Sequence, residues 1–168
     1  DVAVSGAPQD RLSYTLRVRV KARNEGEARA LVASHGAKVS RDGAWTVLEA
    51  APGRGEARLD VKAPHRLVEV VVSTAAGSVE AFNLAGSLSA FSGGGRMQAD
   101  RIGGGVRMRT GGGEIRLGSI EGSADCATVG GAIMAKLVRG DAFLETGAGD
   151  IVVEDAGRLV RATTAGGA

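Results

Sequence analysis

The 168-residue chain carries 21 basic and 19 acidic side chains mixed along its length, so it has no acidic tract and no polybasic one to hold a nucleic acid by charge. With three Phe, one Trp and one Tyr, the stacking faces on which sugar and single-stranded nucleic-acid sites rely are scarce. Glycine takes 27 positions, proline only 3, and 43% of residues are apolar, which excludes both collagen and disorder and leaves the glycines to serve another regular geometry.

Residues 12–22 alternate, with Leu16, Val18 and Val20 on one face and Arg17, Arg19 and Lys21 on the other, and predict an amphipathic strand. Residues 25–36 predict a short helix. Residues 38–41 and 44–50 flank Asp42-Gly43, the dipeptide favoured at tight hairpin turns. Residues 57–63 and 66–73 are two further strands broken at Pro64, the second running straight into the repeats. Residues 1–72 are therefore expected to form a strand-rich cap, anchored by Tyr14 and Trp45 and continuous with residues 73–168 as one body.

Glycine then recurs at 77, 95, 113, 131 and 149, a spacing of 18 residues. Counted from each of these, the second position reads Val79, Met97, Ile115, Ile133 and Ile151, and the fourth reads Ala81, Ala99, Leu117, Ala135 and Val153. The seventh gives Leu84, Ile102, Ile120 and Val138, the eleventh Leu88, Val106, Ala124 and Ala142, and the thirteenth Ala90, Met108, Cys126 and Leu144. Apolar residues two apart, in two short segments per repeat, define strands with one inward face. Stacked at about 4.8 Å per coil, the repeats predict an all-β fold, a single right-handed β-solenoid (β-helix) of about five coils and roughly 24 Å.

Glycines at the ninth position, Gly86, Gly104, Gly122 and Gly140, complete the corners, where a side chain would crowd the adjacent coil. At the fifteenth position Ser92, Thr110, Thr128, Thr146 and Thr163 are expected to hydrogen-bond up and down the stack. In the last coil one residue is expected to be missing before Gly157, with Leu159, Thr163 and Gly166 resuming the pattern.

The stretch LDVKAPHRLVEVVVSTAAGSVEAFNLAGSL (Leu59 to Leu88), with TGGGEIRLGSIEG and TGAGDIVVEDAG further on, resembles a bacterial β-strand-repeat domain of unknown function that carries an adhesin label and is similar to adhesin-head GIN domains. The resemblance extends from about Leu12. It implies a repeat-built β-solenoid on secreted or membrane-anchored proteins and offers no catalytic residue to carry over.

Other chemistry finds little support. A hexapeptide acyltransferase helix fails because steps of six from Met97 reach Gly103 and Arg109. His35 and His65 lack partner spacings for a metal or a triad, and Asp100, Glu114, Asp125, Asp141 and Asp150 are read as occupying different columns on solvated faces. The glycine runs lack the lysine and the strand-to-helix context of a phosphate loop. Cys126 falls on an inward column, as a small buried hydrophobe. The one distinctive exposed feature is Arg96, Arg101, Arg107, Arg109 and Arg116, the candidate surface for an anionic ligand.

No catalytic residue, cofactor or metal site is expected. The sequence points to a non-catalytic structural or adhesive module of the bacterial cell envelope, extracytoplasmic or secreted, with any signal or anchor outside this chain. Its expected partner is an envelope polymer or protein, or itself through the solenoid edges, and no specific nucleic acid. No apolar run reaches the ~18 residues of a membrane span. The alternatives are a self-assembling bactofilin-like scaffold and an envelope carbohydrate-active enzyme.

Overall fold

The computed structural model describes residues 1–42, 45–50, 56–64 and 66–167. The chain forms two compact units, Asp1–Ser13 with Val61–Ala168, and Tyr14–Asp60. The segment 1–72, expected as one cap, is thus divided between them. In chain order it holds β1 (Val2–Ala7), β2 (Ser13–Arg19), α1 (Glu25–Ala33), β3 (Ala37–Asp42), β4 (Trp45–Ala50) and β5 (Glu56–Pro64).

Within the smaller unit, α1 starts where the Asn24 carboxamide accepts the Glu27 amide proton at 2.8 Å and is braced by Arg29 reaching back to Glu25. It ends before the predicted Gly36 because the Ser34 amide and hydroxyl turn back onto the Leu31 carbonyl. Strands β3 and β4 pair antiparallel from Ala37↔Ala50 to Asp42↔Trp45, as the Asp42-Gly43 signal predicts. Gly43 itself, the Trp45 side chain and His65 lie outside the described residues. Tyr14 is 39% exposed and does not anchor a core, whereas His35 is buried with Nδ1 2.9 Å from the Leu31 carbonyl oxygen.

The larger unit is a β-solenoid. It continues with β6 (Glu69–Thr74), β7 (Val79–Leu84), β8 (Ser87–Ser92), β9 (Met97–Ile102), β10 (Val106–Thr110), β11 (Ile115–Ile120) and β12 (Ala124–Thr128). The remaining strands are β13 (Ile133–Val138), β14 (Ala142–Thr146), β15 (Ile151–Ala156) and β16 (Val160–Thr164). Odd strands β7 to β15 stack in one sheet and even strands β6 to β16 in another, with parallel pairing between coils. The repeat thus begins earlier than Gly77, because Val70, Val72 and Thr74 of β6 already stand under Leu88, Ala90 and Ser92.

The core runs between the sheets. Val79, Met97, Ile115 and Ile133 from one side and Ala90, Met108 and Cys126 from the other are fully buried. Along β7 and β9, however, inward positions are not strictly alternate: after Ala81 two residues face out before Leu84, and after Ala99 two before Ile102. The extra outward residue bends both strands alike without breaking register, through left-handed backbone at Asn83 (φ 57°) and at the facing Arg101 (φ 55°).

Two corner devices hold the coils together. A Cβ on Gly113 would lie 2.0 Å from the Gly95 carbonyl oxygen, so close approach of stacked backbones, more than a special dihedral angle, selects glycine there. The hydroxyls bond along the stack as expected, with backbone as the partner: each donates to a corner glycine carbonyl in the preceding coil. Thr128 Oγ1 donates to the Gly113 carbonyl at 2.9 Å and accepts the Gly131 amide proton at 3.2 Å. Thr110 does the same for Gly95 and Gly113, and Thr146 donates to Gly131.

The last coil loses no residue. Ala142 pairs with Val160, Leu144 with Ala162 and Thr146 with Thr164, so the 18-residue offset persists and Thr164, not Thr163, donates to the Gly149 carbonyl. A one-residue slip would have turned every inward side chain outward, and the parallel hydrogen bonds forbid it.

Candidate interaction surface

The outward residues of the even strands form a regular lattice, because alternate side chains leave the core and each coil repeats the last. One column reads Ser89, Arg107, Asp125 and Phe143, and the next reads Phe91, Arg109, Ala127 and Glu145. A shallow open groove follows the second column and the turn beside it across five stacked strands, from Thr74 to Gly147, and is lined by Phe91, Arg109, Ala127 and Val129. Phe91 (39%), Phe143 (41%) and Val129 (67%) are exposed. Between the two rings the Asp125 carboxylate holds Arg109 at 2.8 Å and Arg107 at 3.3 Å.

The five arginines read from the sequence as one surface are not brought together. Arg107 and Arg109 lie on β10, in the six-stranded sheet, whereas Arg101 and Arg116 lie on β9 and β11 in the eight-stranded sheet, and Arg96 precedes β9. The two sheets share one core and face away from each other, so residues a few positions apart along a coil emerge on opposite sides. Each arginine also has an acidic partner: Arg96 and Arg116 meet Glu114 at 3.5 and 2.9 Å, and Arg101 meets Asp100 at 3.4 Å. Exposed pairs of this kind contribute about 0–1 kcal/mol each, and they neutralise the surface expected to take an anion.

Of the five carboxylates considered for chemistry, Glu114 and Asp150 share a column, since both follow a corner glycine two coils apart. Asp100 is structural: its Oδ1 accepts the Ser119 amide proton at 3.0 Å, beside the bend at Arg101. Asp141 Oδ1 accepts the Leu159 amide proton at 3.4 Å in the coil above. Cys126 is buried, and desolvation pushes its thiol up to about 12, which keeps it protonated and inert.

The sequence reading passed over Phe91 and Phe143. Their signal was present at the twelfth and fourteenth positions of the coil, the outward places between inward columns, where an aromatic ring is left to solvent. No family model, curated protein or solved structure matches the chain. Fold and surface together define a two-sheet β-solenoid with an exposed aromatic and arginine face. No helix among the described residues is long and apolar enough to cross a membrane.

Proposed function

We propose that this protein is a non-catalytic structural or adhesive interaction module of the bacterial cell envelope, and that it engages an envelope polymer or protein through the outer face of its six-stranded sheet. The observation that carries the reading is the pair of exposed rings, Phe91 and Phe143, set on either side of the Arg107, Arg109 and Asp125 cluster. Aromatic rings and arginines are the side chains that dominate binding energy once a partner covers them. Strands β8 and β14 are three coils apart, so the ring-bearing backbone positions are held about 14 Å apart along the axis by main-chain hydrogen bonds, and little backbone entropy is lost on contact. The envelope setting is supported by the resemblance of the repeats to the adhesin-labelled domain.

Sedimentation of the purified protein with isolated bacterial envelopes tests the proposal. Wild-type protein should co-sediment, and the Phe91→Ser, Phe143→Ser double variant should lose at least tenfold in affinity while keeping its circular dichroism. Absence of wild-type binding to envelopes and to their isolated polymers would overturn the adhesive reading.

A further inference from the structure

Strand β1 is out of chain order. Elsewhere in the stack each strand pairs with the strand two further on, but β7 has β1 as its other neighbour, and β5 lies beyond β1. The path from β5 through β6 to β7 would by itself set β5 one coil from β7. Instead the two are two strand spacings apart, about 9.6 Å. The solenoid strands therefore frame a slot one strand wide, and a distant part of the chain fills it.

The fit is specific but shallow. β1 runs parallel to β7 from Val2↔Val79 to Ser5↔Phe82, and the Asp1 carboxylate accepts the Ser78 amide proton at 2.9 Å. Gly6 approaches so closely that a Cβ there would lie 1.8 Å from the Asn83 carbonyl oxygen. Yet Val4 is the only buried side chain of the six in β1. The strand is held chiefly by main-chain pairing, and residues 8–12, which open with Pro8, tie it to β2.

We propose that β1 is an exchangeable strand, and that the slot between β5 and β7 accepts β1 from a second copy, so that two copies trade strands into a reciprocal dimer. Each contact β1 makes within one chain is reproduced between chains, and exchange costs the opening of residues 8–12 and the entropy of association. Few buried apolar contacts also mean that β1 opens more readily than the strands of the central coils.

Two full-length variants, Ser5→Cys and Phe82→Cys, purified separately as monomers and mixed under mild oxidation, test the proposal, because the paired positions lie within disulfide reach. A heterodimer linked through Cys at 5 and 82, identified by mass spectrometry and increasing with protein concentration, is expected. Adding Gly6→Val to the Ser5→Cys chain should abolish it while circular dichroism shows the coils intact. The Ser5→Cys, Phe82→Cys double variant controls for geometry. If it closes its internal disulfide fully while the mixture yields no heterodimer over days, β1 does not exchange. A heterodimer that survives Gly6→Val would equally overturn the proposal.

Discussion

Replacing Thr128 by valine tests the corner bridge with almost no change in shape. Thr128 is 4% exposed, and its hydroxyl donates to the Gly113 carbonyl and accepts from the Gly131 amide. Valine is isosteric, so no cavity opens, and its strand propensity is at least as good. What remains is a carbonyl and an amide proton in a part-buried corner facing a methyl group. Each unsatisfied group costs about 1–3 kcal/mol, and because the corner lies near the surface the lower half of that range applies, giving roughly 2–4 kcal/mol in all. For a chain of this size that lowers Tm by roughly 4–16 °C in a thermal scan followed by circular dichroism. Hydrogen exchange at the Gly131 amide should quicken in parallel. Thr128→Ser keeps both bonds and loses one methyl group, about 1 kcal/mol. If the valine variant proves as stable as the serine variant, the hydroxyl bridge does not hold the coils.

Three further outcomes follow from the same geometry. Gly113→Ala, whose Cβ would meet the Gly95 carbonyl oxygen at 2.0 Å, should cost about 3 kcal/mol or more, while Gly112→Ala, with nothing within 4 Å, should cost little; urea denaturation separates the two. Ile133→Ala, in a fully buried column, should cost about 2–5 kcal/mol, against less than half of that for Ile151→Ala in the same column, where the side chain is only half-buried. The Cys126 thiol should resist a thiol-specific reagent until the protein unfolds. Since folding raises its pKa from 9.0 to about 12, the contribution is present in full below pH 9 and is lost as pH rises through about 12, so Cys126→Ala should flatten the alkaline loss of stability.

Much of the solenoid was legible because burial between stacked coils leaves no latitude at the inward positions, as Val79, Met97, Ile115 and Ile133 illustrate. The errors have local causes. Gly157 and Thr163 each sit one place before the position continued by the ladder, and both imitate the residue expected there, so a deletion was read where Val160, Ala162 and Thr164 keep the register. β1 escaped notice because its short pattern, Val2 and Val4, gains meaning only from pairing with Val79 and Ala81, a non-local contact that periodicity does not report. The arginines were grouped by proximity along the chain, although a coil with two strands sends Arg101 and Arg107 to opposite faces. On the six-stranded face, polar residues mask the two rings in the sequence, and only the coil register shows that Phe91 and Phe143 share a surface.

Comparing the two faces tests the central claim most directly. Phe91→Ser with Phe143→Ser removes two exposed apolar side chains from the six-stranded sheet, and Met134→Ser with Val152→Ser removes two from the eight-stranded sheet, where they are exposed by 43% and 48%. Envelope binding measured side by side should be lost only in the first variant. Equal binding by both, or loss confined to the second, would contradict the assignment of the six-stranded face as the contact surface.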